Sequence, residues 1–132
     1  MSDKIFDIGI IGYGPVGATL AGLLSSLGLS VVVIEKNEGV SPTARAINTD
    51  SEQLRTFNFL NIASKVISNS RTVCRVHFTD SEFNPYSTIN VPKEDILGWP
   101  PTLLFYQPEL ETIIRTNNIK YNRMQTNECK QT

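Results

Sequence analysis

DIGIIGYGPVGATLAGLLSSLGLSVVVIE, Asp7 to Glu35, divides into five successive pieces. A nearly continuous apolar run, Ile5 to Ile11, reads as a strand covered on both faces. Three glycines follow, Gly12, Gly14 and Gly17, spaced G-x-G-x-x-G. Gly12 lets the chain turn sharply, Gly14 removes a side chain where a phosphate would come close, and Gly17 lets helix and strand approach. Pro15 suits the first helical turn, where its missing N–H costs nothing. Val16, Leu20, Leu23, Leu24 and Leu27 then fall on one helical face, which predicts that this face is buried. Gly28 is placed to end the helix. Val31 to Ile34 is a second strand, and Glu35 closes it.

Strand, tight turn, helix, strand and acid in this register form the fingerprint of a dinucleotide-binding βαβ unit. Backbone N–H groups from Tyr13 to Gly17, with Pro15 and Val16 inside the turn, lie at the positive end of the helix and can cradle a pyrophosphate. Glu35 is placed to accept hydrogen bonds from adenosine ribose hydroxyls. The plainer alternative is a glycine-rich turn in an ordinary βαβ unit, with Glu35 a solvated strand end. It leaves three glycines at this spacing without a reason. The fingerprint itself does not separate NAD from FAD, which share it.

The rest of the composition narrows the class. With 132 residues, 40% hydrophobic and 19% charged, the chain can bury a sizeable core and is globular in type. A net charge of −1 gives no broad attraction to nucleic acid or to an anionic membrane. No apolar run approaches the roughly 20 residues of a membrane span, and the start lacks the pattern of a signal peptide, so a cytoplasmic protein is expected. Cys74 and Cys129 are far apart and outside any C-x-x-C, and are expected to be free, buried thiols of a reducing compartment. There is no metal-ligand cluster. The single histidine, His77, has no partners for a triad and is expected on a strand surface.

Beyond Glu35, residues 37–48 read as a loop broken by Gly39 and Pro42 and carrying Arg45. A helix begins near Asp50, with Thr49 and Glu52 as a capping box and Leu54, Phe57 and Leu60 on its apolar side. A short helical pattern, Ile62 to Ile67, ends at Asn69. Residues 71–91 alternate about a turn-rich centre and predict an antiparallel hairpin. Leu103 to Tyr106 is a short strand, and Gln107-Pro108-Glu109 starts a helix with Leu110, Ile113 and Ile114 buried. Ile119 to Met124 is the last strand, and Gln125 to Thr132 is expected to fray.

Several of these segments together resemble one family. Gly12-Tyr13-Gly14-Pro15-Val16-Gly17, with Ala21, Gly28 and Val33-Ile34-Glu35-Lys36, is similar to the N-terminus of the FAD-dependent aromatic hydroxylases. These are the group A flavin monooxygenases of the p-hydroxybenzoate hydroxylase type. Ser41-Pro42-Thr43-Ala44-Arg45-Ala46 and Asp50 to Phe57 resemble the family's next segment, and Gly98-Trp99-Pro100 and Phe105 to Glu111 a later one. The nearest branch is the 3-(3-hydroxyphenyl)propionate hydroxylases. The resemblance implies FAD as cofactor, with Arg45 near the flavin and its phosphates and Gln107 at the ribityl region. It places Lys36 beside Glu35 in the cofactor site. It also implies NADPH or NADH as co-substrate, O2, and a small phenolic substrate to be hydroxylated. The catalytic residues are not assigned.

The expected fold is α/β: a Rossmann-like parallel sheet ordered 3-2-1 from strands at 5–11, 31–35 and 119–124, with the hairpin of residues 71–91 inserted and contributing to a substrate-domain sheet. The family continues with a later Asp-Gly and a Gly-Asp motif, and neither dipeptide occurs here. The chain therefore reads as residues 1–132 of a longer FAD-binding domain. Its first strand becomes an open edge, and the isolated chain is expected to bind FAD weakly or not at all and to lack hydroxylase competence. A homo-oligomer is compatible with the sequence. Two other classes stay open at this stage: an NAD-dependent dehydrogenase domain, and a non-enzymatic truncated nucleotide-binding fragment.

Overall fold

The computed structural model describes residues 4–128. Two compact units emerge: Met1–Ala46 with Tyr106–Thr132, and Ile47–Phe105.

The first unit is built on a parallel three-stranded sheet, with β1 (Ile8–Ile11), β2 (Val31–Glu35) and β8 (Met124–Glu128) in the order β1-β2-β8. The register runs from Ile8↔Val31 to Ile11↔Ile34, and from Val31↔Met124 to Glu35↔Glu128. This is the expected order of strands, with β1 at an edge among the described residues. Val31 and Val33, fully buried, form its centre. Asp7 and Ser30 staple the entries of β1 and β2: the Asp7 carboxylate accepts from the Ser30 N–H at 2.8 Å and from its hydroxyl at 2.7 Å.

Helix α1 (Pro15–Ser26) packs on β1 and β2, and α4 (Gln107–Asn118) packs on α1. The face that α1 buries is the reverse of the one its leucines predict. Ala18, Thr19, Ala21, Gly22 and Ser25 are buried, whereas Val16 is 82% and Leu27 67% exposed. The reason is the close approach at the glycine turn. A Cβ on Gly17 would lie 2.1 Å from the Gly12 carbonyl oxygen, so the inward face of α1 has room only for small side chains. α4 follows its sequence pattern, with Leu110, Ile113 and Ile114 buried.

Two further boundaries differ. β8 starts where the last strand was expected to end. The Tyr121 N–H donates to Asn118 O and the Met124 N–H to Tyr121 O, so residues 119–123 are spent in turns that close α4. Gln125 to Glu128 consequently pair with β2 rather than fray. Cys129 and the rest of the tail lie outside the described residues. β1 is also shorter than the apolar run from Ile5.

The second unit holds α2 (Ser51–Phe59) and α3 (Ala63–Ser68) against a small antiparallel sheet. Here β7 (Thr102–Leu104) pairs with both β3 (Asn48–Asp50) and β4 (Arg71–Thr72). Leu54, Phe57, Leu60, Val66 and Leu103 form its core. The N-cap of α2 is Asp50, whose carboxylate accepts from the Gln53 N–H at 2.9 Å; Thr49, expected in that role, is taken up in the ladder opposite Leu103. The hairpin forms from β5 (Arg75–Thr79) and β6 (Pro85–Asn90), exposed on both faces, while Arg71–Thr72 leave it for β7. His77 is a cross-strand surface residue, its Nδ1 2.9 Å from the Thr88 hydroxyl. Cys74 is free but exposed rather than buried, because it lies at the edge of this uncovered hairpin.

Candidate functional site

The glycine turn joins the end of β1 to α1 and is held from two sides. Gly12 sits at φ +98°, a conformation that a Cβ would strain, and its N–H donates to Ile34 O at 2.8 Å. The next N–H, of Tyr13, donates to Glu35 Oε2 at 2.7 Å. Two sequence-predicted residues are thereby joined directly: the acid at the end of β2 clamps the turn that precedes α1. Glu35 Oε1 accepts from the Asn37 N–H at 2.9 Å and from its side-chain amide at 3.1 Å. These bonds, that from Tyr13 first, hold the Glu35 carboxyl below the usual carboxylate range. Oε1 takes two of these bonds and Oε2 one, and the Lys36 N–H adds a weaker contribution to the carboxylate.

The start of α1 is bare. Gly14 is the N-cap, no side chain caps the helix, no acid lies in the first turn, and Pro15 occupies its start. The Val16 and Gly17 N–H groups are first-turn donors without intrahelical acceptors. A Cβ on Gly14 would meet nothing within 4 Å, so its missing side chain leaves open space above the turn. The Val16 side chain points to solvent and offers only its backbone.

Tyr13 has its side chain almost wholly buried, at 5% exposure. Its hydroxyl accepts from Asn118 Nδ2 at 3.3 Å, and burial pushes the phenol up in pKa against that bond. The Arg115 guanidinium lies 4.5 Å from the ring centroid and donates to the Tyr13 carbonyl at 3.1 Å and the Gly39 carbonyl at 3.0 Å. It also pairs with Glu128 at 3.1 Å and Glu111 at 3.5 Å. Arg115 thus ties the turn, the loop after β2 and the end of β8 to α4.

Arg45 and Gln107, the second sequence-predicted pair, also meet. Gln107 is 2% exposed, and its Oε1 accepts from the Arg45 N–H at 2.7 Å and the Ala46 N–H at 2.8 Å. Its Nε2 donates to Glu111 Oε1 at 2.8 Å. The Arg45 and Lys36 side chains are exposed. The sequence reading missed Glu111, Arg115 and Asn118. Their signal was present as a spacing: with Gln107 they stand at i, i+4, i+8 and i+11, a polar stripe on one face of α4 beside the apolar one. No group of three or more metal-ligating side chains occurs among the described residues. Nor is any helix among them long and apolar enough to cross a membrane.

The solved structures that share this fold include p-nitrophenol 4-monooxygenase PnpA from Pseudomonas putida, with a TM-score of 0.84 at 20% identity over 94% of this chain and 32% of that one. PqsL from Pseudomonas aeruginosa superposes with a TM-score of 0.81 at 21% identity, over 93% of this chain and 33% of that one. Among curated relatives, a Rhodococcus jostii protein named "Probable NADH-specific resorcinol 4-hydroxylase" is 33% identical over 84% of this chain. A 3-(3-hydroxy-phenyl)propionate/3-hydroxycinnamic acid hydroxylase of Burkholderia vietnamiensis is 32% identical over 91% of it. The chain spans 21% and 19% of the length of these two relatives. The FAD binding domain family matches residues 6–129. A bare helix start behind a glycine turn, an acid clamped to that turn, and this match lead to one conclusion: the chain belongs to the FAD binding domain family.

Proposed function

We propose that the first unit holds the ADP half of FAD. The pyrophosphate meets the Val16 and Gly17 N–H groups above Gly14, and an adenosine ribose hydroxyl donates to Glu35 Oε2, the oxygen with the fewer side-chain bonds. Lys36 and Arg45 supply positive charge beside the phosphates. The single Nε2 hydrogen that Gln107 does not spend on Glu111 is its remaining donor toward the ribityl hydroxyls. The observation that carries this reading is the uncapped, acid-free N-terminus of α1 with open space over Gly14. A helix start that must receive an anion has to leave its donors unspent.

The whole protein, on this reading, is an aromatic hydroxylase that uses NADH or NADPH and O2 to hydroxylate a small phenolic compound. The bound flavin supplies the oxygen-activating chemistry. The residues of this chain bind and orient it: the turn neutralises phosphate charge, Glu35 fixes the ribose, and Gln107 holds the loop carrying Arg45. The β5–β6 hairpin contributes to a substrate-domain sheet. In support, both its faces are open, with Phe78 44% and Ile89 52% exposed.

Titration of the chain with FAD, ADP and NAD, followed by flavin fluorescence and thermal shift, tests this. FAD and ADP are expected to stabilise it weakly, with micromolar to millimolar dissociation constants, and NAD no better than ADP. Tighter binding of NAD than of FAD would overturn the assignment. Substrate-dependent NADPH oxidation by this chain alone would overturn the view that catalysis needs more than these residues.

A further inference from the structure

We propose that Glu111 is a positioning residue for the cofactor site. Its buried carboxylate sets which way the Gln107 amide faces, and thereby holds the backbone of Arg45 and Ala46. Its bearing on FAD rests on the function proposed above; its hydrogen-bond geometry does not.

Glu111 is 1% exposed and Gln107 2%. Burying an amide at the first residue of a helix and a carboxylate one turn later is unfavourable unless each has partners. They have each other, at 2.8 Å from Nε2 to Oε1. The two ends of a glutamine amide are nearly alike in shape, so shape alone does not choose between them. An accepting oxygen at position 111 does choose, because only the Nε2 end of Gln107 can donate to it. Nε2 must then face Glu111, and Oε1 is left to face the loop. There it receives two backbone donors in succession, Arg45 N–H at 2.7 Å and Ala46 N–H at 2.8 Å. One acid therefore fixes three hydrogen bonds, two of them more than 60 residues away in sequence. The other oxygen of Glu111 faces Arg115 at a looser 3.5 Å, and Arg115 keeps stronger partners in Glu128 and two carbonyls. The dominant duty of Glu111 thus points toward Gln107 and the Arg45 loop, and the ion pair is secondary.

Two variants separate these duties. Glu111→Gln keeps the reach and an accepting oxygen but loses the charge. Glu111→Asp keeps the charge but withdraws the carboxylate by one methylene. Amide hydrogen exchange, read by NMR on the full chain, reports the loop at Arg45 and Ala46 and the sheet at Gly12 and Val33. Glu111→Asp is expected to cut protection at Arg45 and Ala46 by about tenfold, with Gly12 and Val33 unchanged, and Glu111→Gln to retain most of it. The reverse order would show that charge toward Arg115 matters more and would overturn the proposal. So would an equal fall at all four amides, the mark of general loosening. A second arm compares ligands: Glu111→Asp is expected to weaken FAD more than ADP, because ADP lacks the ribityl hydroxyls assigned to Gln107. If the unmodified chain binds neither, the proposed cofactor site fails, while the exchange data still judge Glu111 independently.

Discussion

Replacing Gly17 by alanine sets two effects against each other. Helix propensity favours alanine by about 0.5–1 kcal/mol. Against this, the new Cβ would stand 2.1 Å from the Gly12 carbonyl oxygen and 3.1 Å from its carbon. Both are backbone atoms, so no rotamer change relieves the overlap, and the turn must open by roughly 1 Å to restore ordinary contact. Overpacking of this kind costs about 1–3 kcal/mol. Opening the turn also stretches the Gly12 and Tyr13 N–H bonds to Ile34 and Glu35, now 2.8 Å and 2.7 Å, each contributing about 0.5–1.5 kcal/mol. The net expectation for Gly17→Ala is a loss of about 2–3 kcal/mol, or roughly 5–15 °C in Tm for a chain of this size. Gly14→Ala is the control: its Cβ meets nothing within 4 Å. It should stay within about 1 kcal/mol of the parent yet lose ADP affinity by about tenfold or more, because the added methyl stands where the phosphate comes closest. Urea denaturation and ADP titration of both variants decide the matter. A Gly17→Ala chain as stable as the parent would refute the close approach; a Gly14→Ala chain with unchanged ADP affinity would refute the placement of the phosphate.

Three other outcomes follow from the same geometry. Glu35→Gln should destabilise the chain near neutral pH. The folded carboxyl titrates below its ordinary value of 4.5, so its contribution is present above that value and is lost as pH falls through the folded one. The Tm gap between parent and variant should therefore close in acid, and a gap independent of pH would count against the clamp. Arg115→Met removes the donors to Tyr13 and Gly39 and leaves the buried Glu111 short of a cation, for a loss of about 2–4 kcal/mol; an unchanged denaturation midpoint would contradict the hub. On α1, Leu20→Ala should cost less than about 1 kcal/mol and Ala21→Leu about 1–3 kcal/mol. The opposite ranking would restore the leucine face to the core.

The positions of α1, β2 and α4 and the order of the parallel strands were legible because glycines, prolines and β-branched runs act locally. Which face of α1 is buried was not. The leucines at 20, 23, 24 and 27 gave a periodic stripe with Val16, but the choice of face is made by how near the helix comes to the strand, a tertiary distance that Gly17 permits. β8 was misplaced for a related reason: Ile119 carries apolar character, yet the end of a helix needs its own turn before a strand can begin. In the candidate site, Gly12 to Gly17 and Glu35 were legible as candidates from their spacing, and Arg45 and Gln107 from resemblance. Glu111 and Arg115 were not, because charged residues on a helix read as solvated until packing shows them enclosed.

The clamp between Glu35 and Tyr13 also bears on how such a site can be recoded. An acid at the end of a second strand is the usual place to alter ribose preference, and exchanging it for a neutral or basic side chain is the obvious route to another nucleotide. In this chain the same carboxylate carries a backbone hydrogen bond that shapes the glycine turn. With the ribose placed on Glu35 as proposed, selectivity and architecture share one group, so a single exchange at Glu35 changes both. A change of nucleotide here takes a compensating second substitution that gives the Tyr13 N–H a new acceptor.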